Sequence, residues 1–253
     1  MMPIHTITTE PGITEVIMDH PPVNALDIAT WYDLADQLIA AGRNEETRVV
    51  ILRAEGRSFN AGVDIKEVAA LGDDALVGCN RACYAAFSAV YDCEVPVIAA
   101  VQGFCLGGGI GLIGNADIIT ASTAASFGLP EVDRGALGAA THLSRLVPQH
   151  KARQMLYMAT AISAEEMATY GQLAAVTAPE DLLETTYEIA RNIAKKSPSI
   201  LRRAKEAMNA IDPIDVKRSY RMEQGFTYEL HVRGVADEQR QAFVEKRDAD
   251  TSK

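Results

Sequence analysis

Three consecutive glycines, Gly107-Gly108-Gly109, follow an apolar run, Pro96–Val101, and a turn at Gly103. The run has the length and β-branched content of a buried strand, and Ile110 to Gly114 continues as a helix. A strand, a glycine turn and a helix start, in that order, point to a fold in which β and α elements alternate. The turn is also chemically suggestive. Glycine lets the backbone approach a ligand closely, and a helix start presents unpaired N–H groups, a setting suited to an oxygen that gains negative charge.

The rest of the chain supports that class. Ile4–Thr9 and Ile13–Asp19 read as a hairpin about Pro11-Gly12. Leu26, Trp31, Leu34, Leu38 and Ile39 recur at helical spacing, so 27–43 is an amphipathic helix. Val49–Leu52 reads as a buried strand, 55–62 as a loop leading to a helical start at 64–67, and 73–91 as a helix. Asp117–Ala121 is a further strand, and Ser126–Pro130 a loop presenting Glu131. From Ala139 the pattern turns helical, with segments near 142–147, 152–160, 164–171, 182–195, 199–210, 216–232 and 236–246. Residues 248–253 read as a frayed tail. The whole is an α/β core, 1–195, with a helical C-terminal region, 196–253, packed against it; no internal repeat or low-complexity linker separates them.

Composition narrows the partners. At 253 residues, with 48% hydrophobic and 23% charged residues, the chain buries a substantial core. A net charge of -10 argues against general nucleic-acid binding, while leaving room for a local basic patch for phosphates at Arg53, Arg57 and Lys66. The first ten residues lack the pattern of a signal peptide, and no apolar stretch runs uninterrupted to membrane-spanning length. Cytoplasmic placement is the expectation. The four cysteines, Cys79, Cys83, Cys93 and Cys105, lack metal-type spacing and read as buried apolar residues in a reducing compartment, so no metal site is expected.

Two loops share one form: Phe59-Asn60-Ala61-Gly62-Val63-Asp64 and Leu106-Gly107-Gly108-Gly109 each follow an apolar strand, contain glycine and lead into a helix. Alone, each fits an ordinary structural turn. Side by side, they would offer one backbone N–H each to a single carbonyl oxygen. Glu131, after Pro130, is either a solvated loop acid or a proton-transfer group.

The stretches GRSFNAGVDIKE, PVIAAVQGFCLGGGIGLIGNADI, SFGLPEVDRGALGAATHLSRL and, near the end, AFVEKR resemble the enoyl-CoA hydratase/isomerase family, or crotonase superfamily, in order and spacing across essentially the whole length. The resemblance implies a spiral of ββα turns with a helical C-terminal region that forms homo-trimers, often paired into hexamers, and an acyl-CoA thioester as substrate. Coenzyme A would enter with the substrate, and no separate cofactor is implied. The N–H groups of Val63 and Gly108 would form an oxyanion hole for the thioester oxygen. Ala61 and Lys66 would lie near the adenine and phosphates of CoA, with Phe226 and Lys246 contributing from the C-terminal region. Glu131 matches one of the two catalytic glutamates of typical hydratases.

The departures matter as much. The second hydratase glutamate falls at Gly111, and the aspartate that dienoyl-CoA isomerases carry falls at Ala139. One acid beside an oxyanion hole suits a different reaction. Glu131 as general base would activate a water that attacks a ketone, while the hole holds the expelled carbanion as a thioester enolate. This is hydrolytic, retro-Claisen C–C cleavage of a cyclic oxo-acyl-CoA. The GLPEVDRGALGAATHLSRLVPQH stretch and the YRMEQGF segment look most like the actinobacterial hydrolases that open the last rings of degraded steroids. The alternative is an enoyl-CoA hydratase or isomerase working with one glutamate. A non-catalytic RNA-binding relative is disfavoured by the acidic balance and by the retained Glu131. Cys105, Asp133 and His142 are candidates for the acyl pocket. For Asp133 a structural pairing with Arg134 or Arg145 is the plainer role, and for His142 a place in the core. By the resemblance, acyl selectivity is expected on the 73–91 helix at Asn80, Tyr84 and Phe87.

Overall fold

The computed structural model describes residues 2–67 and 73–249. The last four residues of the tail read as frayed, 250–253, lie outside the described residues. β1 (Ile4–Glu10) and β2 (Ile13–Met18) form the hairpin, closed at Gly12. α1 (Ile28–Arg43) starts where the Asp27 side chain accepts the Thr30 N–H at 2.7 Å, a cap worth about 1 kcal/mol. Its Trp31, Leu34, Ala35 and Leu38 form the buried stripe.

Among the described residues three ββα turns follow, all of one build. The first is β3 (Val49–Ala54), β4 (Ser58–Asn60) and α2 (Asp73–Tyr91). The second is β5 (Val97–Val101), β6 (Phe104–Leu106) and α3 (Gly108–Ile113). The third is β7 (Ile118–Ser122), β8 (Ser126–Gly128), a 3-10 turn at Pro130–Arg134, and α4 (Ala140–Leu146). The first strand of each turn joins a six-stranded sheet, β1-β2-β3-β5-β7-β10, with β10 (Ala175–Thr177) at its edge. The second joins a four-stranded sheet, β4-β6-β8-β9, ending at β9 (Ala161–Ser163). Within each sheet the corresponding strands pair in parallel, so successive turns stack as a spiral.

Along β3 and β5 alternate residues enter different cores. Val50, Leu52, Val97 and Ala99 join Trp31, Leu34 and Phe87 on one side. Val49, Ile51, Ile98 and Ala100 join Leu182, Tyr187 and Ala190 of α7 (Leu182–Ala194) on the other. Both faces are buried, which is why these strands read as continuous apolar runs.

The remaining helices are α5 (Gln149–Met158), α6 (Ala164–Thr169), α8 (Pro198–Ala210), α9 (Val216–Val232) and α10 (Val235–Glu245). Two ion pairs tie the C-terminal region to the core: the buried Lys205 ammonium meets Asp117 at 2.7 Å, and Arg145 meets Asp212 at 2.6 Å. The structure corrects the sequence reading at its shortest elements. Ser126–Gly128 is strand rather than loop, and β9 and β10 lie in a stretch that reads as helical. Among the described residues, no helix is long and apolar enough to cross a membrane.

Candidate active site

The small sheet brings the chemistry together. β4, β6 and β8 are parallel neighbours, so the segments leaving their C-terminal ends, 61–63, 107–109 and 130–131, emerge side by side. Asn60, fully buried at the end of β4, braces the first: its Oδ1 accepts the Gly62 N–H at 2.8 Å and its amide donates to the Asn24 carbonyl at 2.7 Å. A Cβ on Gly62 would stand 3.3 Å from the Gly108 nitrogen, and one on Gly108 would meet the Trp31 ring at 2.7 Å. The two loops touch only because neither position carries a side chain. Among the described residues the Val63 and Gly108 N–H groups have no hydrogen-bond acceptor, and both residues line one cavity of about 270 Å³.

Glu131 sits in the 3-10 turn, started by Pro130 and closed by Gly135 in the left-handed region at φ 69°. A Cβ on Gly135 would overlap Ala236 of α10, so the turn lies pressed against that helix. The Glu131 side chain threads between Gly107 and Gly138, where a Cβ on either would collide with it. Its Oε2 is buried without a hydrogen-bond partner. Burial pushes the carboxyl pKa from 4.5 to about 8; its own backbone N–H and the Arg134 charge oppose the rise, and the Glu223 charge adds to it. A carboxyl so placed takes up a proton near neutral pH, as a general base must.

The cavity draws on both halves of the chain. Ala61, Ile65, Leu76, Cys79, Asn80, Cys83 and Phe87 form one wall, and Pro130, Arg134, Ala136, Gly138 and Ala139 another. The C-terminal region supplies the rest: Tyr220, Gln224 and Thr227 from α9, and Arg240 and Phe243 from α10. Helices α9 and α10 therefore build the cavity as well as packing on the core. The α9 residues recur at i, i+4 and i+7, one helical face, and they grip both neighbours. The Gln224 amide donates to the Asn80 carbonyl at 2.6 Å, and Thr227 Oγ1 accepts the Leu137 N–H at 3.1 Å. Glu223, one residue before Gln224, accepts the Ala140 and Thr141 N–H groups at 2.8 and 2.7 Å and the Thr141 hydroxyl, capping α4 from outside. Burial raises its pKa to about 7 against those hydrogen bonds. Sequence reasoning missed these C-terminal residues; their helical spacing was visible, but not which face would be covered.

Gly111 lies directly beneath Phe87, whose ring would overlap any Cβ there. Phe87 packs edge-on to Trp31 (centroids 5.7 Å apart) and to His142 (5.1 Å), and lies against Tyr220 (5.2 Å). The space beside Gly111 is thus an aromatic cluster. Ala139, the other position of a missing acid, is buried in the cavity wall.

The candidates for the acyl pocket do not line it. Cys105 is fully buried behind Gly109, and burial holds its thiol well above the ordinary pKa. His142 is buried in the aromatic cluster with Nδ1 unpartnered, and burial drives its pKa down to about 3, so it is neutral. Asp133 is exposed on the turn and pairs with neither expected cation: Arg134 lies over the Phe243 ring and Arg145 pairs with Asp212. The i+2 spacing from Glu131 turned Asp133 outward. Of the residues assigned to CoA, Ala61 lines the cavity, whereas Lys66, Phe226 and Lys246 are exposed outside its lining. Arg53 is bound by Glu15 and Glu55, so it offers no free charge to a phosphate. On α2, Asn80 and Phe87 face the cavity, while Tyr84 lies under Arg221.

An apolar cavity with two free backbone N–H groups and one buried acid suits an acyl compound that passes through an oxyanion. The comparisons agree with that class. The enoyl-CoA hydratase/isomerase family pattern matches residues 8–252, and the chain belongs to that family. It is 58% identical over 246 residues to the (7aS)-7a-methyl-1,5-dioxo-2,3,5,6,7,7a-hexahydro-1H-indene-carboxyl-CoA hydrolase of Mycobacterium tuberculosis, covering 97% of this chain and 100% of that protein. It is 59% identical over 245 residues to the hydrolase of the same name from Rhodococcus jostii, covering 96% and 95%. Among solved structures, an enoyl-CoA hydratase from Bacillus anthracis superposes with a TM-score of 0.80 at 30% identity, covering 98% of each chain.

Proposed function

We propose that this protein hydrolyses a ring carbon–carbon bond of a cyclic oxo-acyl-CoA derived from steroid ring degradation. The observation that carries the reaction type is that, among the described residues, Glu131 is the one carboxylate lining the cavity. Glu131 meets the cavity with a free Oε2, while Gly111, where a second acid would fall by the family resemblance, is covered by the Phe87 ring. One acid and two amide donors match hydrolysis of a ketone whose carbonyl carbon is bonded to the α-carbon of the thioester. Glu131 takes a proton from water, the hydroxide adds to the ketone carbon, and the cleaved carbon's electron pair is held as a thioester enolate by Val63 and Gly108. The substrate class is supported by the two hydrolases that share more than half of this sequence, whose names specify a bicyclic dione carboxyl-CoA. Coenzyme A arrives as part of the substrate, and no step calls for a resident cofactor. A side-by-side assay tests the reading. The bicyclic dione thioester is expected to be opened with a new carboxylate formed, and crotonyl-CoA to be hydrated slowly or not at all. Fast hydration of crotonyl-CoA without ring opening would sink it.

The same reading makes the protein a cytoplasmic homo-trimer or a pair of trimers. Ile200 and Met208 on α8, Ile211 just past its end, and Met222 and Val232 on α9 stand exposed, a display of apolar residues suited to an interface. Light scattering on the eluting protein is expected to give three or six times the 27.3 kDa chain mass; a monomer would remove this part.

A further inference from the structure

Hydrolytic ring opening generates two oxyanions in succession. The first is the alkoxide formed when hydroxide adds to the ring ketone, and the second is the thioester enolate. In the reading above Val63 and Gly108 hold the thioester oxygen, and the loops that carry them touch, so the pair is assigned to that one oxygen. The other oxygen needs its own donor, and the cavity's polar lining is mostly committed. Arg240 is hydrogen-bonded to Asp237 and to His231 Nδ1. Gln224 donates to the Asn80 carbonyl and accepts from Arg221 at 2.8 Å. Thr227 accepts from Leu137 and donates to the Glu223 carbonyl at 3.3 Å. Among the described residues two lining side-chain N–H donors remain, the neutral Asn80 amide and the Arg134 guanidinium, and of these only Arg134 carries the charge an alkoxide calls for. It lines the cavity from the same 3-10 turn as Glu131 and is partly buried. Among the described residues its guanidinium forms no ion pair or hydrogen bond; its central carbon lies over the Phe243 ring, 3.9 Å from the centroid. The ring holds the guanidinium in place without using its N–H donors, which stay available to a ligand. Its charge reaches Glu131, which is neutral once it has taken the water proton, so at the moment an alkoxide forms the cation is left to an anion supplied by the ligand.

We propose that Arg134 is a catalytic residue that binds the ring-ketone oxygen, first as the alkoxide and then as part of the product carboxylate. This rests on the ring-opening reading above. Water gives its proton to Glu131 and its oxygen to the ketone carbon, and the carbonyl pair moves onto the ketone oxygen beside Arg134. As that pair re-forms the carbonyl, the ring carbon–carbon bond breaks. Its electrons pass into the thioester enolate, and the freed carbon takes the proton back from Glu131. The new acid loses its own proton to solvent, leaving a carboxylate that neither the thioester nor the substrate ketone possessed. The active-site cation then matches the charge gained between substrate and product.

The test compares Arg134→Gln and Arg134→Lys with the wild type in turnover and in binding. Turnover uses the bicyclic dione thioester. Binding uses two CoA esters of equal length, one ending in a carboxylate and one in a methyl group. Arg134→Gln is expected to lower kcat roughly 10²- to 10³-fold, the scale of losing one oxyanion donor. It is expected to weaken the carboxylate ester about tenfold or more, with the methyl ester unchanged. Arg134→Lys should recover part of both, and added guanidinium ion should partly restore Arg134→Gln. Unchanged kcat, or equal weakening of both esters, would overturn the assignment; the methyl-ester affinity also shows whether the variant has folded. If the wild type opens no ring but still prefers the carboxylate ester through Arg134, the ring-opening reading fails and the anion site stands. If it opens the ring and Arg134→Gln alters nothing, the anion site fails alone.

Discussion

Glu131→Gln is expected to lower kcat/KM on the bicyclic dione thioester by about 10³-fold, within the range for losing a general base. Glutamine keeps the shape that threads between Gly107 and Gly138 but cannot accept the water proton. In the wild type the acid must be ionised to act. With its pKa pushed up to about 8, kcat/KM should rise tenfold per pH unit below that value and level off above it. The variant's residual rate should lack this limb. Stability supplies a second signature of opposite sense. A carboxyl raised from 4.5 to about 8 by burial binds its proton more tightly folded than unfolded. Its contribution is whole below pH 4.5 and is lost as pH rises toward 8. Relative to the wild type, Glu131→Gln should therefore gain stability across that window, by up to about 5 kcal/mol at 1.36 kcal/mol per unit. Parallel melting curves from pH 5 to pH 9 would mean that Glu131 is solvated, and the proposed base would lose its footing.

The second large effect concerns Gly111. Gly111→Ala is expected to cost about 1–3 kcal/mol, because the new methyl group enters the Phe87 ring in a filled cluster. Phe87→Ala should cost about 3–5 kcal/mol by leaving that cluster hollow. Combined, the two should couple strongly: with the ring gone, the methyl has room and alanine is the better helix former. Urea unfolding of the four proteins in the cycle measures the coupling, and simple additivity would show that Phe87 is not what excludes a side chain at 111. The same logic extends to function. Gly111→Glu alone should fail to accumulate as folded protein, whereas Gly111→Glu with Phe87→Ala should fold and gain hydration of crotonyl-CoA. The aromatic cluster, more than the missing carboxylate, then sets this pocket apart from one with two acids.

The long elements were legible because their periodicity runs over many residues: α2 and α9 occupy the spans their patterns indicate. The close approach of the 61–63 and 107–109 loops was legible because it admits little besides glycine, as Gly62, Gly107 and Gly108 attest. Strands of three residues were not. Ser126–Gly128 carries at most one alternation, so nothing in it separates strand from loop until β6 and β9 flank it. Arg134 read as a partner for Asp133 because they are adjacent in sequence, yet Phe243, more than a hundred residues away, claims its face. The outward turn of Asp133 follows from the 3-10 geometry, and the inward fate of His142 from stacking on Phe87 and Tyr220. The core place of His142 was the plainer expectation from sequence, whereas the Arg134–Phe243 contact is a long-range fact with no local signal.

The cavity's dependence on α9 and α10 also has a consequence for timing. During synthesis the segment bearing Glu131 leaves the ribosome long before Tyr220, Thr227 and Phe243 exist to cover it. Until then the carboxyl faces water and behaves as an ordinary acid, and the apolar wall of α2 stands open. Only when the last helices dock does the solvent leave, the carboxyl's proton affinity climb and Arg134 settle onto its ring. The protein's reactive character is thus conferred by its final forty or so residues, which complete, after the fact, a site whose chemistry was laid down in the middle of the chain.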